Sequence, residues 1–201
     1  MRKLIVSNLV SLDGFIAGPD GNLMVMPFDE TFSQRNAALL RDADTLLLGR
    51  RTYTEFAHYW PQVAADRQQP AVEREISRLN AKAHKVVVSE ILAGGIGAWA
   101  DTTEVVRPEH LVTRVNELKA ESRKPGKKTQ NIVTFGSATL VRSLLQLGLV
   151  DELQLQVGAN AVGRGGRPLF DGPIPGRITL VDASVPEGSQ NAVLTYALSP
   201  E

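Results

Sequence analysis

An α/β fold is what this sequence predicts: a mixed, mainly parallel sheet with helices on both faces and antiparallel strands in its C-terminal part. Three observations point there. Short apolar runs alternate with amphipathic stretches through the first two-thirds of the chain, the pattern of repeated β–α units. The run Leu4–Val10 is apolar almost throughout, as strands covered on both faces are. The last third loses the helical period, and Leu153, Leu155 and Val157 alternate there with Gln154 and Gln156.

The elements follow in order. Leu4–Val10 is the first strand, closed by turns at Asp13-Gly14 and Pro19-Asp20-Gly21. Thr31–Arg41 reads as a helix with a capping box of Thr31 and Gln34, and Thr45–Leu48 as a strand. Thr52–Trp60 reads as a helix with a second box of Thr52 and Glu55, ended by Pro61. Pro70–Ala83 carries Val72, Ile76 and Leu79 at helical spacing, and Lys85–Ser89 is a strand. A glycine-rich loop, Leu92–Ala100, precedes a short strand, Glu104–Val106, and a helix, Glu109–Ser122. The strand Asn131–Phe135 leads into the helix Ala138–Leu147, with Gly148 where a C-terminal cap glycine belongs. Asp151–Gly158 reads as a half-covered strand at an antiparallel or edge position, followed by strands at Arg177–Ala183 and Asn191–Leu198.

Composition bounds the function. A chain of 201 residues with no internal repeat is read as one domain, 1–201. Lys+Arg number 22 and Asp+Glu 22, so no basic surface invites nucleic acid or an anionic membrane. With no cysteine there is no disulfide, thiol nucleophile or thiolate metal site. No run approaches the ~20 apolar residues of a membrane span. The expected location is the cytoplasm.

In an open α/β sheet, ligands bind beyond the carboxyl ends of the strands. Four such ends stand out: Asp13-Gly14, Gly49-Arg50-Arg51-Thr52, Ser89, and Gly136-Ser137-Ala138-Thr139. Two of them open helices, whose free N–H groups suit phosphate, and Arg50 and Arg51 add bidentate donors. Together they suggest a dinucleotide or another phosphorylated ligand. Turn punctuation and helix capping account for the same residues taken singly.

These segments carry a resemblance. Val10-Ser11-Leu12-Asp13-Gly14-Phe15-Ile16-Ala17, Leu47-Leu48-Gly49-Arg50-Arg51-Thr52-Tyr53, Phe135-Gly136-Ser137-Ala138, Leu149-Val150-Asp151-Glu152-Leu153 and Gly163-Arg164-Gly165-Gly166-Arg167-Pro168-Leu169-Phe170 occur in order over nearly the whole chain. In this the chain resembles the dihydrofolate reductase-like superfamily. Within it, the chain is most similar to the reductase domain at the C-terminus of the bifunctional riboflavin-biosynthesis deaminase/reductase and its stand-alone bacterial counterparts. The resemblance implies a three-layer dihydrofolate reductase-like fold, a homodimer, and NADPH as hydride donor, with NADH not excluded.

By position, Gly49, Arg50, Arg51 and Thr52 would hold the 2′-phosphate and pyrophosphate, and Ser89 would lie beside the adenosine. Gly136, Ser137, Ala138, Thr139 and Leu140 would wrap the pyrophosphate. The loop with Leu12, Gly14 and Ile16 would cover the nicotinamide. The substrate implied is a small molecule of the phosphoribosylaminouracil type. The chain departs from the family twice. Ser137 replaces a glycine whose peptide bond is cis in dihydrofolate reductases, so a trans bond or a reshaped turn is expected. Glu90 stands where a basic residue is usual, which sets a carboxylate against a 2′-phosphate.

The proton donor has three candidates. Asp29 and Glu30 open the first helix, where a folate reductase keeps its acid and where any carboxylate favours the helix dipole. Asp13 sits at a strand end, in an ordinary turn pair. A folate reductase and a dinucleotide-binding protein without turnover are the alternatives to a riboflavin-type reductase. His58, His84 and His110 lack metal-ligand spacing. Gly163–Gly166 precedes no helix and is no dinucleotide fingerprint. Lys119, Arg123, Lys124, Lys127 and Lys128 read as a solvated basic loop. Tyr59 and Trp60 are read either as pocket lining or as packing. The strand Glu152–Val157 could pair with a second copy.

Overall fold

The computed structural model describes residues 1–121 and 130–200. The chain runs through β1 (Leu4–Ser11), β2 (Phe15–Ala17), α1 (Glu30–Arg41), β3 (Ala43–Gly49), α2 (Arg50–Val63), α3 (Ala71–Lys82), β4 (His84–Val88) and β5 (Thr103–Val106). It continues through α4 (Leu111–Ala120), β6 (Asn131–Thr134), α5 (Ala138–Gln146), β7 (Glu152–Gly158), β8 (Arg167–Pro168), β9 (Arg177–Ser184) and β10 (Ala192–Ser199). Eight strands form one sheet in the order β5-β4-β3-β6-β1-β7-β10-β9, and β2 pairs with β8 in a small second sheet. Every pairing from β5 across to β7 is parallel, and β10 runs antiparallel to both β7 and β9. The predicted architecture is therefore the observed one.

Apolar residues on the two faces of the parallel strands account for the layers. Leu4, Val6, Leu47, Val86 and Ile132 pack under α4 and α5. Ile5, Leu46, Leu48, Val87 and Val133 pack under α1, α2 and α3. Strands covered on both faces have no solvent side to mark with polar residues, hence their unbroken apolar runs. Helix α5 ends as its glycine predicts. Gly148 adopts φ +63, and the N–H groups of Gly148 and Leu149 return to the carbonyls of Leu145 and Leu144.

Several boundaries differ from expectation. Helix α1 is capped by Asp29, not Thr31: the Asp29 carboxylate accepts from the Phe32 N–H at 2.7 Å. Helix α2 begins at Arg50, so Thr52 lies inside its first turn, and Pro61 sits within the helix, which runs on to Val63. Proline in a last turn forfeits one hydrogen bond without forcing a stop. Helix α4 starts at Leu111, after a single 3₁₀ turn at Pro108–His110. Strand β7 is not an edge: it lies between β1 and β10, Arg35 of α1 donates to Gln154 at 3.1 Å, and Gln156 is buried. The edge is β9.

The amino ends of the strands are locked by charge. Arg2 is buried and donates to the Gln130 carbonyl at 2.8 Å, to Glu121 and Thr45 at 2.7 Å, and to Asp44. Lys119 is not a solvated lysine. Its ammonium reaches Asp151 and the Leu149 carbonyl, both at 2.7 Å. Arg123, Lys124, Lys127 and Lys128, with the end of the expected helix at Ser122, lie outside the described residues. Trp60 packs edge-on to Phe56, with centroids 6.1 Å apart, over the second core, and Tyr59 meets it edge to face from outside. Packing is the use the fold makes of them. Among the described residues, no helix is long and apolar enough to cross a membrane.

Candidate functional site

Strands β3 and β6 are parallel neighbours, yet their helices leave to opposite faces: α2 onto the side of α1 and α3, α5 onto the side of α4. Chain that departs both ways leaves a crevice at the carboxyl ends, where open sheets bind ligands. A cavity of about 700 Å³ opens there. One wall is Gly49, Arg50 and Arg51; the facing wall is Ser137, Ala138, Thr139 and Leu140. Val88, Ser89, Glu90 and Ile91 line it at the end of β4, and Pro108 and Leu111 close it beyond β5. Arg142, Ser143 and Arg167 complete the α5 side.

The two turns are built against each other. The Gly49 N–H donates to the Gly136 carbonyl at 3.2 Å. Gly49 has ordinary extended angles, so its freedom is not what the site uses. A Cβ there would meet Ser137 Oγ at 2.6 Å. Gly136 does need glycine, with φ +132 and Thr52 Oγ1 3.4 Å from where a Cβ would stand. The Gly136–Ser137 bond is cis, so the expected trans bond is not found.

The electrostatics favour an anion. Neither the α2 cap, Gly49, nor the α5 cap, Ser137, makes a side-chain cap hydrogen bond. Both first turns thus bring free N–H groups and the positive end of the helix dipole to the cavity. Arg50, Arg51 and Arg167 have no hydrogen bond or ion pair among the described residues. Glu90 is exposed on the same rim and opposes them in sign. Ser89 is buried, and its Oγ accepts from the Ile91 and Leu92 N–H groups at 3.2 and 2.9 Å, which shapes that rim. Two helix N-termini, two arginines and a cradle that a Cβ would fill fit the phosphates of a dinucleotide.

Other expected residues stand outside the cavity lining. Thr52 and Gly136 lie directly behind its walls. Leu12 and Gly14 belong to the turn into β2, and Ile16 to β2 itself. The Leu12 N–H donates to the Asn160 carbonyl, Gly14 at φ +83 accepts from the Leu169 N–H, and Ile16 packs on the first core. Through the β2–β8 pairing this turn positions Arg167, opposite Ala17. Arg167, Pro108, Leu111, Arg142 and Ser143 are lining residues that sequence reasoning did not assign. For Arg167 the one available signal is its place after the glycine run 163–166.

The three carboxylates have visible roles in the fold. Asp13 accepts from Ser11 Oγ at 2.5 Å and from the N–H groups of Val162 and Gly163 at 3.0 and 2.7 Å. Those bonds, the Ser11 hydroxyl first, bring its pKa down to about 2, so it is a carboxylate at neutral pH. Asp29 uses Oδ1 to cap α1, while Oδ2 accepts from Ser189 Oγ at 2.6 Å and Asn191 Nδ2 at 3.0 Å. Glu30 is exposed and accepts from Gln34 at 3.0 Å. None of the three lines the cavity. Among the described residues no cluster of His, Asp or Glu could hold a metal.

A family model described as the RibD C-terminal domain matches residues 2–193. The Bacillus subtilis (strain 168) uncharacterized protein YyaP is 30% identical over 171 residues, 84% of this chain and 80% of its own. Among solved structures, a provisionally named riboflavin biosynthesis protein from Shewanella sp. PV-4 superposes with a TM-score of 0.70 at 21% identity, covering 98% of this chain and 99% of its own. Dihydrofolate reductase from Enterococcus faecalis, solved with NADP(H) and RAB-propyl, superposes with a TM-score of 0.57 at 15% identity, covering 98% and 96%. These likenesses establish a dihydrofolate reductase-like fold.

Proposed function

Because the chain belongs to the RibD C-terminal domain family, a family of reductases, we propose that it is an NADPH-dependent reductase. Its substrate class is a small heterocyclic or imine-like molecule resembling the phosphoribosylaminouracil of riboflavin biosynthesis. The observation that carries the reading is the cavity where the uncapped N-termini of α2 and α5 meet beside unpartnered arginines.

When bound, a nicotinamide cofactor supplies the hydride. The chain's own residues bind and orient. Arg50 and Arg51 hold the 2′-phosphate, and the first-turn N–H groups of α5 face the diphosphate. Gly49 and Gly136 let the backbone come close. Val88, Pro108 and Leu111 supply the apolar wall for the adenine and keep water from it. The β1–β2 turn and β8 flank the end at which substrate enters. None of the three carboxylates is assigned as proton donor in this reading.

Thermal shift with NADPH, with NADH and without ligand tests it. Ligand at a hundred times its dissociation constant stabilises by about 2.7 kcal/mol, and each kcal/mol moves the midpoint of a domain this size by roughly 2–4 °C. The expected result is a rise of several degrees with NADPH and less with NADH. Oxidation of bound NADPH by a pyrimidine or pterin panel then follows. No rise with either nucleotide refutes the reading, and binding without oxidation by any substrate leaves a dinucleotide-binding protein. Reduction of a pterin by NADPH at a rate lost in Asp29→Asn or Glu30→Gln would restore the folate alternative.

The homodimer and the cytoplasmic location belong to the same proposal. The surface for a second copy is β9, not β7. Its outer edge has no strand partner among the described residues, and Ile178, Leu180 and Val181 are exposed along it. Sedimentation across concentrations, with a monomer throughout as the contrary outcome, tests the dimer.

A further inference from the structure

Beyond Arg50 and Arg51, the cavity holds a third free cation, which comes from a distant part of the chain. Arg167 belongs to β8, is half-buried, and lines the α5 side with Thr139 and Ser143. Its guanidinium lies against Gly21, where a Cβ would stand 3.3 Å from one terminal nitrogen. Its side chain makes no hydrogen bond or ion pair among the described residues. The fold nevertheless braces it. The neighbouring Arg142 spends its guanidinium on the Pro168 carbonyl, on the Leu169 carbonyl at 3.1 Å and on Asp171 at 3.2 Å, which holds the segment after Arg167 against α5. Of the two arginines on this side, one is structural and the other is left facing the cavity.

We propose that Arg167 is the residue that takes a phosphoryl group at the α5 end of the cavity, separately from the group read by Arg50 and Arg51. The inference rests on the dinucleotide reading above and deepens it. Cations at two separate walls require a ligand with two separated anionic groups. With the 2′-phosphate at α2, the diphosphate bridge is the second, since the free N–H groups of α5 and Arg167 line the same wall. A substrate phosphate offers the same chemistry, and the experiment separates the two sources.

The experiment titrates NADPH, NADH and adenosine 2′-monophosphate against the wild-type chain, Arg167→Ala and Arg167→Lys. NADH keeps the diphosphate and lacks the 2′-phosphate; the monophosphate has the reverse. Arg167→Ala is expected to raise the dissociation constants of NADPH and NADH by the same factor, about tenfold. It should leave the monophosphate unchanged. Arg167→Lys should recover part of the loss, since it keeps the charge without the fork. The ligand-free melting temperature should not move, because no group among the described residues accepts from the Arg167 side chain. Unchanged constants for both dinucleotides overturn the inference. So does a loss confined to NADPH, which would put Arg167 on the 2′-phosphate, or a loss confined to the KM of a phosphorylated substrate, which would make the substrate the source. If the wild-type chain binds neither dinucleotide, the reductase reading falls first and takes this inference with it.

Discussion

Replacing Gly49 by alanine is a small perturbation with a large expected effect. Its backbone angles, φ −74 and ψ 151, are open to any residue, so no conformational penalty arises. The cost comes wholly from contact: the new methyl would lie 2.6 Å from Ser137 Oγ, 3.3 Å from Ser137 N and 3.4 Å from Ser137 Cβ. The first distance forces the serine or the whole α5 turn to move. Overpacking of this kind costs about 1–3 kcal/mol, or roughly 2–12 °C in melting temperature for a domain this size. The cause can be isolated. Ser137 Oγ makes no cap hydrogen bond, so Ser137→Ala should be close to neutral, unlike the usual loss of about 1 kcal/mol at a serine cap. In the double variant the 2.6 Å contact is gone, and the tight 3.3 Å approach to Ser137 N is the main one left. The double-mutant cycle should return most of the Gly49→Ala loss as coupling. Urea denaturation of the four proteins, with NADPH titration of each, provides the measurement. Wild-type stability in Gly49→Ala, or no recovery in the double variant, would refute the claim that these two turns are packed against each other.

Other outcomes follow from the same geometry. Asp29→Ala removes the α1 cap and the acceptor of Ser189 and Asn191, and should cost about 2 kcal/mol, whereas Glu30→Gln should leave the urea midpoint unchanged. Asp13, held at about pKa 2 against 3.8 when free, gives a stability contribution that is present above pH 4 and lost as pH falls through about 2. The difference in melting temperature between wild type and Asp13→Asn should therefore be constant above pH 4 and shrink below it; a constant difference down to pH 2 would contradict the clasp on residues 162 and 163. Lys85 gives a slope of the same sign at higher pH, from a different cause. Burial, despite bonds to the Ala81 carbonyl and Thr102 at 3.0 Å, pushes its pKa from 10.5 down to about 8. Between those values the unfolded chain binds more protons, so stability should rise with pH there, and the rise should be absent in Lys85→Met.

Much of the fold was legible because strands covered on both faces and helices covered on one write different periods into the sequence. β2 and β8 were not legible, since three and two residues cannot carry a period. β7 was read as an antiparallel or edge strand; it is antiparallel to β10 and not an edge, and its polar alternation reflects a hydrogen bond from Arg35 to Gln154 and a buried Gln156 instead of solvent. The strand-end turns at Gly49 and Gly136 were legible because glycine followed by a helix start is a local signal. Arg167, Pro108 and Leu111 reach the cavity only through the pairing of distant strands. The carboxylates were ambiguous for a related reason: which residue caps α1 depends on a boundary one position wide, and the partners of Asp29 lie 160 residues along, at Ser189 and Asn191.

The pairing of β1 has a consequence for how the molecule comes into being. Its partners begin at Ile132, opposite Leu4, and at Glu152, opposite Ile5. β1 is thus made well before either of its neighbours in the sheet. At synthesis rates of about 5–20 residues per second, its apolar run waits roughly 7–30 s for a partner. The units β3–α2 and β4 can form locally in that interval, but the centre of the sheet cannot close until most of the chain exists. Long-range closure of this kind slows folding and leaves an unpaired apolar strand open to wrong partners. A circular permutation that joins the two ends and opens the chain between α5 and β7 would have β7 made before β1, so that β1 finds one neighbour waiting, while leaving every residue of the cavity in place.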